Sequence, residues 1–157
     1  MAKERLGFIG LGAMGMPMAL NMMKGGYELT IWGRKKEKLA RAIDAGAKWA
    51  ESPKAVAESS DIICLCVWGG DDVEQVVFGP DGIAAGGAAG KLVVDHSTIH
   101  PEETKEFAER LARETGMNWI DAPVSGGPTG AEDGTLVVMA GGRDADIDRY
   151  RPVIATT

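Results

Sequence analysis

Arg5-Leu6-Gly7-Phe8-Ile9-Gly10-Leu11-Gly12-Ala13-Met14-Gly15-Met16-Pro17 runs from a short apolar segment, through a G-x-G-x-x-G loop, into a helical pattern. Three glycines at this spacing mean little alone, but between a strand and a helix they specify a geometry. Gly10 permits a tight turn, and Gly15 lets helix and strand pack closely. Gly12 leaves room for the backbone to approach a pyrophosphate. The helix that follows turns free N–H groups and a partial positive charge toward that anion. The loop Gly10, Leu11, Gly12, Ala13, Met14 and Gly15 is therefore read as a dinucleotide phosphate site.

Outward from this loop, apolar runs alternate with helical patterns. The sequence predicts strands at Arg5 to Ile9, Glu28 to Trp32, Lys48 to Ala50, Asp61 to Val67, Leu92 to Asp95, Trp119 to Ala122 and Thr135 to Ala140. Helices are predicted over Met16 to Lys24, Lys36 to Ala45, Ser52 to Ser59, Asp71 to Phe78 and Pro101 to Thr115, and again from Asp144 onward. A Gly/Pro-rich loop is expected between the last two strands. Parallel neighbours need crossover connections, so the pattern predicts an α/β fold with a doubly wound, mostly parallel Rossmann sheet. Residues 1–157 read as one dinucleotide-binding domain, with no linker or repeat beyond the β-α alternation. Ligands of such sheets sit at the carboxyl ends of the strands. The loops after Ile9, Trp32, Val67, Asp95 and Ala122 are thus the expected site.

Composition narrows the function. Of 157 residues, 45% are hydrophobic and 25% charged, as in a soluble globular chain. A net charge of −6 opposes a general nucleic-acid or membrane-surface role, since both need a basic field. No apolar run nears the roughly 18 residues of a transmembrane helix. The first residues carry no apolar leader, so the cytoplasm is the expected compartment. The two cysteines, Cys64 and Cys66, lie in one apolar run. Neighbours on one strand are poorly placed for a disulfide, so both are expected as buried, reduced thiols.

The second strand should end near the adenosine ribose. An acidic residue there suits the 2′-hydroxyl of NAD, whereas an arginine suits a 2′-phosphate. The sequence places Gly33-Arg34-Lys35-Lys36 at this point, with Lys38 beyond and no carboxylate before Glu37. It predicts NADP(H) ahead of NAD(H), with Arg34 as the planar donor assisted by Lys35 or Lys38.

The stretch Gly7 to Ala19, together with Asp95-His96-Ser97-Thr98-Ile99-His100-Pro101 and Asp121-Ala122-Pro123-Val124-Ser125-Gly126-Gly127, resembles the β-hydroxyacid dehydrogenases. That family includes the 3-hydroxyisobutyrate dehydrogenases, tartronate semialdehyde reductases and glyoxylate/succinic semialdehyde reductases, with 6-phosphogluconate dehydrogenase more distant. Gly130-Ala131 and Gly134-Thr135-Leu136 extend the likeness, so the motifs follow the family's order along the whole chain. The resemblance implies hydride transfer between a nicotinamide cofactor and a short hydroxy acid or its semialdehyde. It implies that Thr98 orients the carboxamide and that Val67 and Trp68 flank a cofactor ribose. Ser125, Gly126 and Gly127 would bind the substrate carboxylate, with adjacent N–H groups forming an anion nest. Helix capping is an alternative role for Ser97 and Thr98, and a plain turn for Ser125 to Gly127. His96 and His100 are expected in structural or surface roles, and no metal site is expected.

The same resemblance implies a general acid/base lysine on a helix outside this domain, and an all-helical second domain. None of the lysines here has that setting, so no catalytic residue is assigned to this chain. The expected partners are a small hydroxy acid or semialdehyde, and either a second copy or a complementary helical domain. Two other readings share the cofactor fold: an imine reductase or reductive aminase, and a non-enzymatic cofactor-binding or scaffold domain. The Asp121 to Gly127 stretch favours the hydroxyacid enzymes over the first of these.

Overall fold

Three four-residue segments, apolar except for Asp95 at the end of the third, are buried on both faces and become the middle of a sheet. They are β1 (Leu6–Ile9), β4 (Ile62–Leu65) and β5 (Leu92–Asp95), every residue of which is buried. The computed structural model describes residues 3–157. With β2 (Leu29–Trp32), β3 (Lys48–Trp49) and β6 (Asn118–Asp121) they form a six-stranded parallel sheet in the order β3-β2-β1-β4-β5-β6. β1 pairs with β2 on one side and β4 on the other, Ile9 lying opposite Trp32 and Leu65. The strand order reverses direction at β1, which places a crevice above its carboxyl end.

Alternation along each strand divides the apolar residues between two cores. Ile62 and Cys64 face one side with Phe8, Ile31 and Val94, whereas Ile63 and Leu65 face the other with Ile9 and Val93. The first core is covered by α1 (Gly15–Lys24), α6 (Gly127–Asp133) and α7 (Asp144–Ile154), through Met18, Met22, Ala131 and Tyr150. The second is covered by α3 (Pro53–Ser59), α4 (Gly70–Phe78) and α5 (Pro101–Thr115), through Val56, Val73, Val77, Phe107 and Leu111. The remaining helix, α2 (Ala40–Asp44), lies between β2 and β3.

Helix ends follow local chemistry. The Ser52 hydroxyl accepts the Ala55 N–H at 3.1 Å and caps α3, with Pro53 in the first turn. His100 caps α5 in the same way, its Nδ1 accepting the Glu102 N–H at 3.2 Å, and Gly116 ends that helix in the left-handed region at φ 77°. The helix expected over Lys36 to Ala45 instead opens with a 3₁₀ turn, Lys36–Leu39, before α2. Lys35 offers no side-chain cap there, and the Lys38 N–H closes the tighter turn on the Lys35 carbonyl at 3.1 Å.

Three further expectations are corrected. The strand expected to reach Val67 ends at Leu65, because the Val67 N–H is taken by the Ser97 hydroxyl at 2.8 Å and leaves the ladder. The Gly/Pro-rich loop after β6 contains a helix, α6. Pro128 stands in its first turn, where a missing N–H costs little, and Gly134 ends it at φ 69°. These residues act as start and stop signals rather than breakers. The strand expected at Thr135 to Ala140 is reduced to β8 (Val137–Val138), which pairs antiparallel with β7 (Val124–Ser125) in a separate hairpin. Asp121 and Gly141 then exchange backbone bonds of 2.9 and 2.7 Å, tying the chain beyond β8 to β6.

Leu111 is fully buried on α5, so Leu111→Ala should cost about 2–5 kcal/mol. Ser52→Ala, which removes only a cap, should cost about 1 kcal/mol. Urea unfolding of both variants checks this; equal losses would contradict the assignment of α5 to the load of the second core.

Candidate functional site

The segments that follow the carboxyl ends of β1, β2, β4, β5 and β6 carry every site residue expected from the sequence. The first loop explains its own glycines. Gly10 has φ 96°, and a Cβ there would sit 2.2 Å from the Cys66 carbonyl oxygen. A Cβ on Gly15 would sit 2.0 Å from the Gly10 carbonyl oxygen and 3.0 Å from the Phe8 ring. Gly12 differs from both: a Cβ there would meet nothing within 4 Å. Packing within the chain therefore requires Gly10 and Gly15 but leaves Gly12 facing open space.

Around Gly12 the backbone donors are unspent. Among the described residues, the N–H groups of Ala13, Met14 and Gly15 have no acceptor. The α1 N-terminus has no side-chain cap and no acidic residue in its first turn. Uncapped N–H groups at the start of a ten-residue helix, beside an open glycine, fit a pyrophosphate in charge and in space.

Beyond β2, Gly33 packs near Leu39, and a Cβ there would lie 3.1 Å from it. Arg34, Lys35 and Lys38 are exposed. Arg34 Nη2 donates to Asp72 Oδ1 at 2.7 Å, whereas no ion pair among the described residues involves Lys35 or Lys38. Lys36, expected only as part of the basic run, lies over the Trp49 ring at 4.2 Å. After β4, the Val67 amide is fixed by Ser97, while Trp68 is 95% exposed. An indole this open is unusual for an apolar ring and stands at the rim of the crevice.

The loop after β5 is held from beneath. The Ser97 N–H donates to Asp95 Oδ1 at 2.9 Å, and its hydroxyl takes the Val67 N–H, so Ser97 joins two loops. Capping of α5, considered for Ser97 and Thr98, belongs to His100 instead. Thr98 is exposed. Asp95 Oδ2 is buried without a partner, and burial pushes its carboxyl up to about 6 against the Ser97 hydrogen bonds.

His96 is buried and lies 2.7 Å from the Ala122 carbonyl through Nδ1 and 2.7 Å from the Tyr150 hydroxyl through Nε2. Burial lowers its pKa to about 4, so the ring is neutral near pH 7. A carbonyl can only accept, which places the proton on Nδ1 and makes Nε2 the acceptor of the Tyr150 O–H. The Cys64 thiol, 3.3 Å from the same oxygen, is then the donor to it, and burial pushes that thiol up to about 12. Both cysteines are free, with Cys64 buried and Cys66 partly so. His96 thus anchors the start of the Ala122 to Gly127 loop.

In that loop Ser125, Gly126 and Gly127 are exposed, with φ 138° at Gly126 and 64° at Gly127. Successive positive φ values aim adjacent backbone groups in directions a β-carbon would resist. Sequence reasoning missed three contributors: Asp72 as the partner of Arg34, Ser97 as a tie between loops, and Tyr150 beneath His96. Each depends on a contact between residues far apart in sequence. A cavity of about 750 Å³ lies elsewhere, between α3 and residues such as Arg5, Glu28 and Lys48, and none of the expected site residues lines it.

Comparison with known proteins agrees with this fold. The family described as the NAD-binding domain of 6-phosphogluconate dehydrogenase matches residues 5–157. The 2-hydroxy-3-oxopropionate reductase of Escherichia coli (strain K12) is 44% identical over 151 residues, covering 95% of this chain and 50% of the reductase. A Mycobacterium tuberculosis 3-hydroxyisobutyrate dehydrogenase, solved with L-serine, is 30% identical with a TM-score of 0.91, covering 99% of this chain and 52% of that one. A Streptomyces aurantiacus imine reductase is 26% identical with a TM-score of 0.86, covering 97% of this chain and 52% of its own. The chain spans about half the length of the curated relatives it matches. Among the described residues no helix is long and apolar enough to cross a membrane.

The two buried titrating groups in sequence, Asp95 and His96, act on stability with opposite sign. The unfolded chain binds a proton at His96 from about pH 6.5 downward, which the folded chain refuses until about 4. The His96 contribution is therefore full above 6.5 and lost as pH falls toward 4. Asp95 is the reverse: its contribution is full below 3.8 and lost as pH rises through about 6. His96→Gln should isolate the first effect. Urea unfolding between about pH 4.5 and 7 should show wild type gaining stability over the variant as pH rises. A pH-independent difference would contradict a neutral, buried imidazole.

Proposed function

The chain belongs to the family of NAD-binding domains of 6-phosphogluconate dehydrogenase, and on that premise we propose that it is the cofactor-holding part of an NADP(H)-dependent oxidoreductase acting on a short hydroxy acid or its semialdehyde. The observation that carries this reading is the open face of Gly12 beside the unpartnered N–H groups of Ala13, Met14 and Gly15, with Arg34 at the end of the next strand.

In this reading residues 1–157 form one dinucleotide-binding domain. Gly10 to Gly15 hold the pyrophosphate through backbone N–H groups. Gly33 leaves room for the adenosine ribose, and Arg34 takes the 2′-phosphate with Lys35 or Lys38 beside it. Val67 and Trp68 flank a ribose, with the Val67 amide held in place by Ser97. Thr98 hydrogen-bonds the nicotinamide carboxamide and sets the ring face. The bound nicotinamide supplies or accepts the hydride. The Ser125 hydroxyl and the N–H groups of Gly126 and Gly127 hold the substrate carboxylate beside that ring. A small carboxylate is the fitting ligand class, and the Mycobacterium tuberculosis relative was solved with one, L-serine.

Proton transfer falls to a group outside these loops. His96 is buried and committed at both nitrogens, so it has no route to a substrate. In this reading the lysine implied by the family resemblance lies outside these residues, and turnover without it is slow. Val137 and Met139 are 62% and 56% exposed beside the substrate loop, an apolar surface suited to a complementary helical domain or a second copy. The Asp121 to Gly127 stretch favours the hydroxyacid reading over the imine reductases.

Cofactor titration tests the reading. NADPH should bind at least about tenfold more tightly than NADH, and Arg34→Ala should remove most of that margin while leaving NADH within about twofold. Equal affinities, unchanged by Arg34→Ala, would overturn the NADP(H) assignment.

A further inference from the structure

Arg34, which the NADP(H) reading assigns to a 2′-phosphate, already has a partner. Its guanidinium donates to the Asp72 carboxylate at 2.7 Å. The topology gives this pair its meaning. Arg34 follows β2, and Asp72 lies in the first turn of α4, which follows β4. β2 and β4 are the two strands paired with β1, one on each side. The Arg34–Asp72 pair therefore bridges the two loops that bracket Gly10 to Gly15.

The two side chains are unequally placed. Arg34 is 69% exposed and free to turn toward a ligand, whereas Asp72 is 28% exposed and anchored on a helix. A 2′-phosphate that reaches the guanidinium meets a carboxylate of its own sign within one hydrogen bond of the same group. Phosphate and Asp72 then compete for the donors of Arg34, and they repel each other. A 2′-hydroxyl meets the opposite situation, because Asp72 is an acceptor for which the hydroxyl can donate. The carboxylate that the sequence lacks at the end of β2 is thus supplied by the first turn of α4.

We infer that Asp72 is a specificity-determining residue: its carboxylate competes with the cofactor 2′-phosphate for Arg34 and accepts a hydrogen bond from a 2′-hydroxyl, holding the NADPH preference below what Arg34 alone would give. This rests on the assignment of Arg34 to the 2′-phosphate. Exposed ion pairs are weak, so Asp72 tunes the preference by about fivefold rather than blocking the site.

The test is a double-mutant cycle on the full chain, with NADPH and NADH titrated separately into wild type, Asp72→Asn, Arg34→Ala and the double variant. The readout is the NADPH:NADH affinity ratio, since a variant that merely folded poorly would lower both affinities together. Asp72→Asn should raise the ratio by at least about threefold, and Arg34→Ala should lower it. In the Arg34→Ala background the effect of Asp72→Asn should shrink to less than about half. If Arg34→Ala lowers the ratio while Asp72→Asn leaves it unchanged, the inference fails and the NADP(H) reading stands. An equally large effect of Asp72→Asn without Arg34 would also overturn it, because competition for the guanidinium would not be the cause. If Arg34→Ala leaves the ratio unchanged, both fail.

Discussion

The start of α1 packs directly on the end of β1, where Gly15 lies against the Gly10 carbonyl. No side chain fits there, since a Cβ would come within 2.0 Å of that oxygen. A second close approach, between Gly10 and the Cys66 carbonyl, locks β1 to the end of β4. Together they fix where α1 begins and which way its first N–H groups point. The proposed phosphate site follows from this packing: once helix and strand are this close, the backbone of Gly12 and Ala13 is left on the surface with its donors unspent.

The remaining loops are registered to this one by a few buried hydrogen bonds. Ser97 holds Val67, and His96 holds Ala122. The Cys66 N–H donates to the Ile9 carbonyl at 2.9 Å, which continues the tie from β4 back to β1. The exposed parts of the site, Trp68, Thr98 and Ser125, each lie within three residues of such an anchor. This arrangement is suited to binding, because exposed groups are presented from backbone that is hydrogen-bonded in place. Tyr150 extends the same support to α7 through its bond to His96.

How much of this the sequence disclosed depended on the range of the interaction. Strand and helix positions were legible because they rest on local periodicity: Leu92 to Asp95 and Pro101 to Thr115 agree with the observed bounds. The Gly10 to Gly15 loop was legible from the spacing of its glycines between a strand and a helix, although the Cys66 carbonyl that crowds Gly10 left no local signal. The helix at Gly127–Asp133 was not, since its proline and glycines read equally as loop formers until their positions at its ends are known. The role of His96 was legible only as an exclusion from catalysis, its partners lying 26 and 54 residues away. The pairing of Arg34 with Asp72 is 38 residues apart and left no local signal.

In the proposed function Gly10 and Gly15 serve the fold, while Gly12 serves the ligand. The direct measurement is a pair of titrations on Gly12→Ala, one with urea and one with NADPH. Nothing lies within 4 Å of the added methyl, so the urea midpoint should match wild type. Affinity for NADPH should fall by about tenfold or more, as the methyl occupies the space of the pyrophosphate. Wild-type NADPH affinity in a normally folded Gly12→Ala protein would contradict the account.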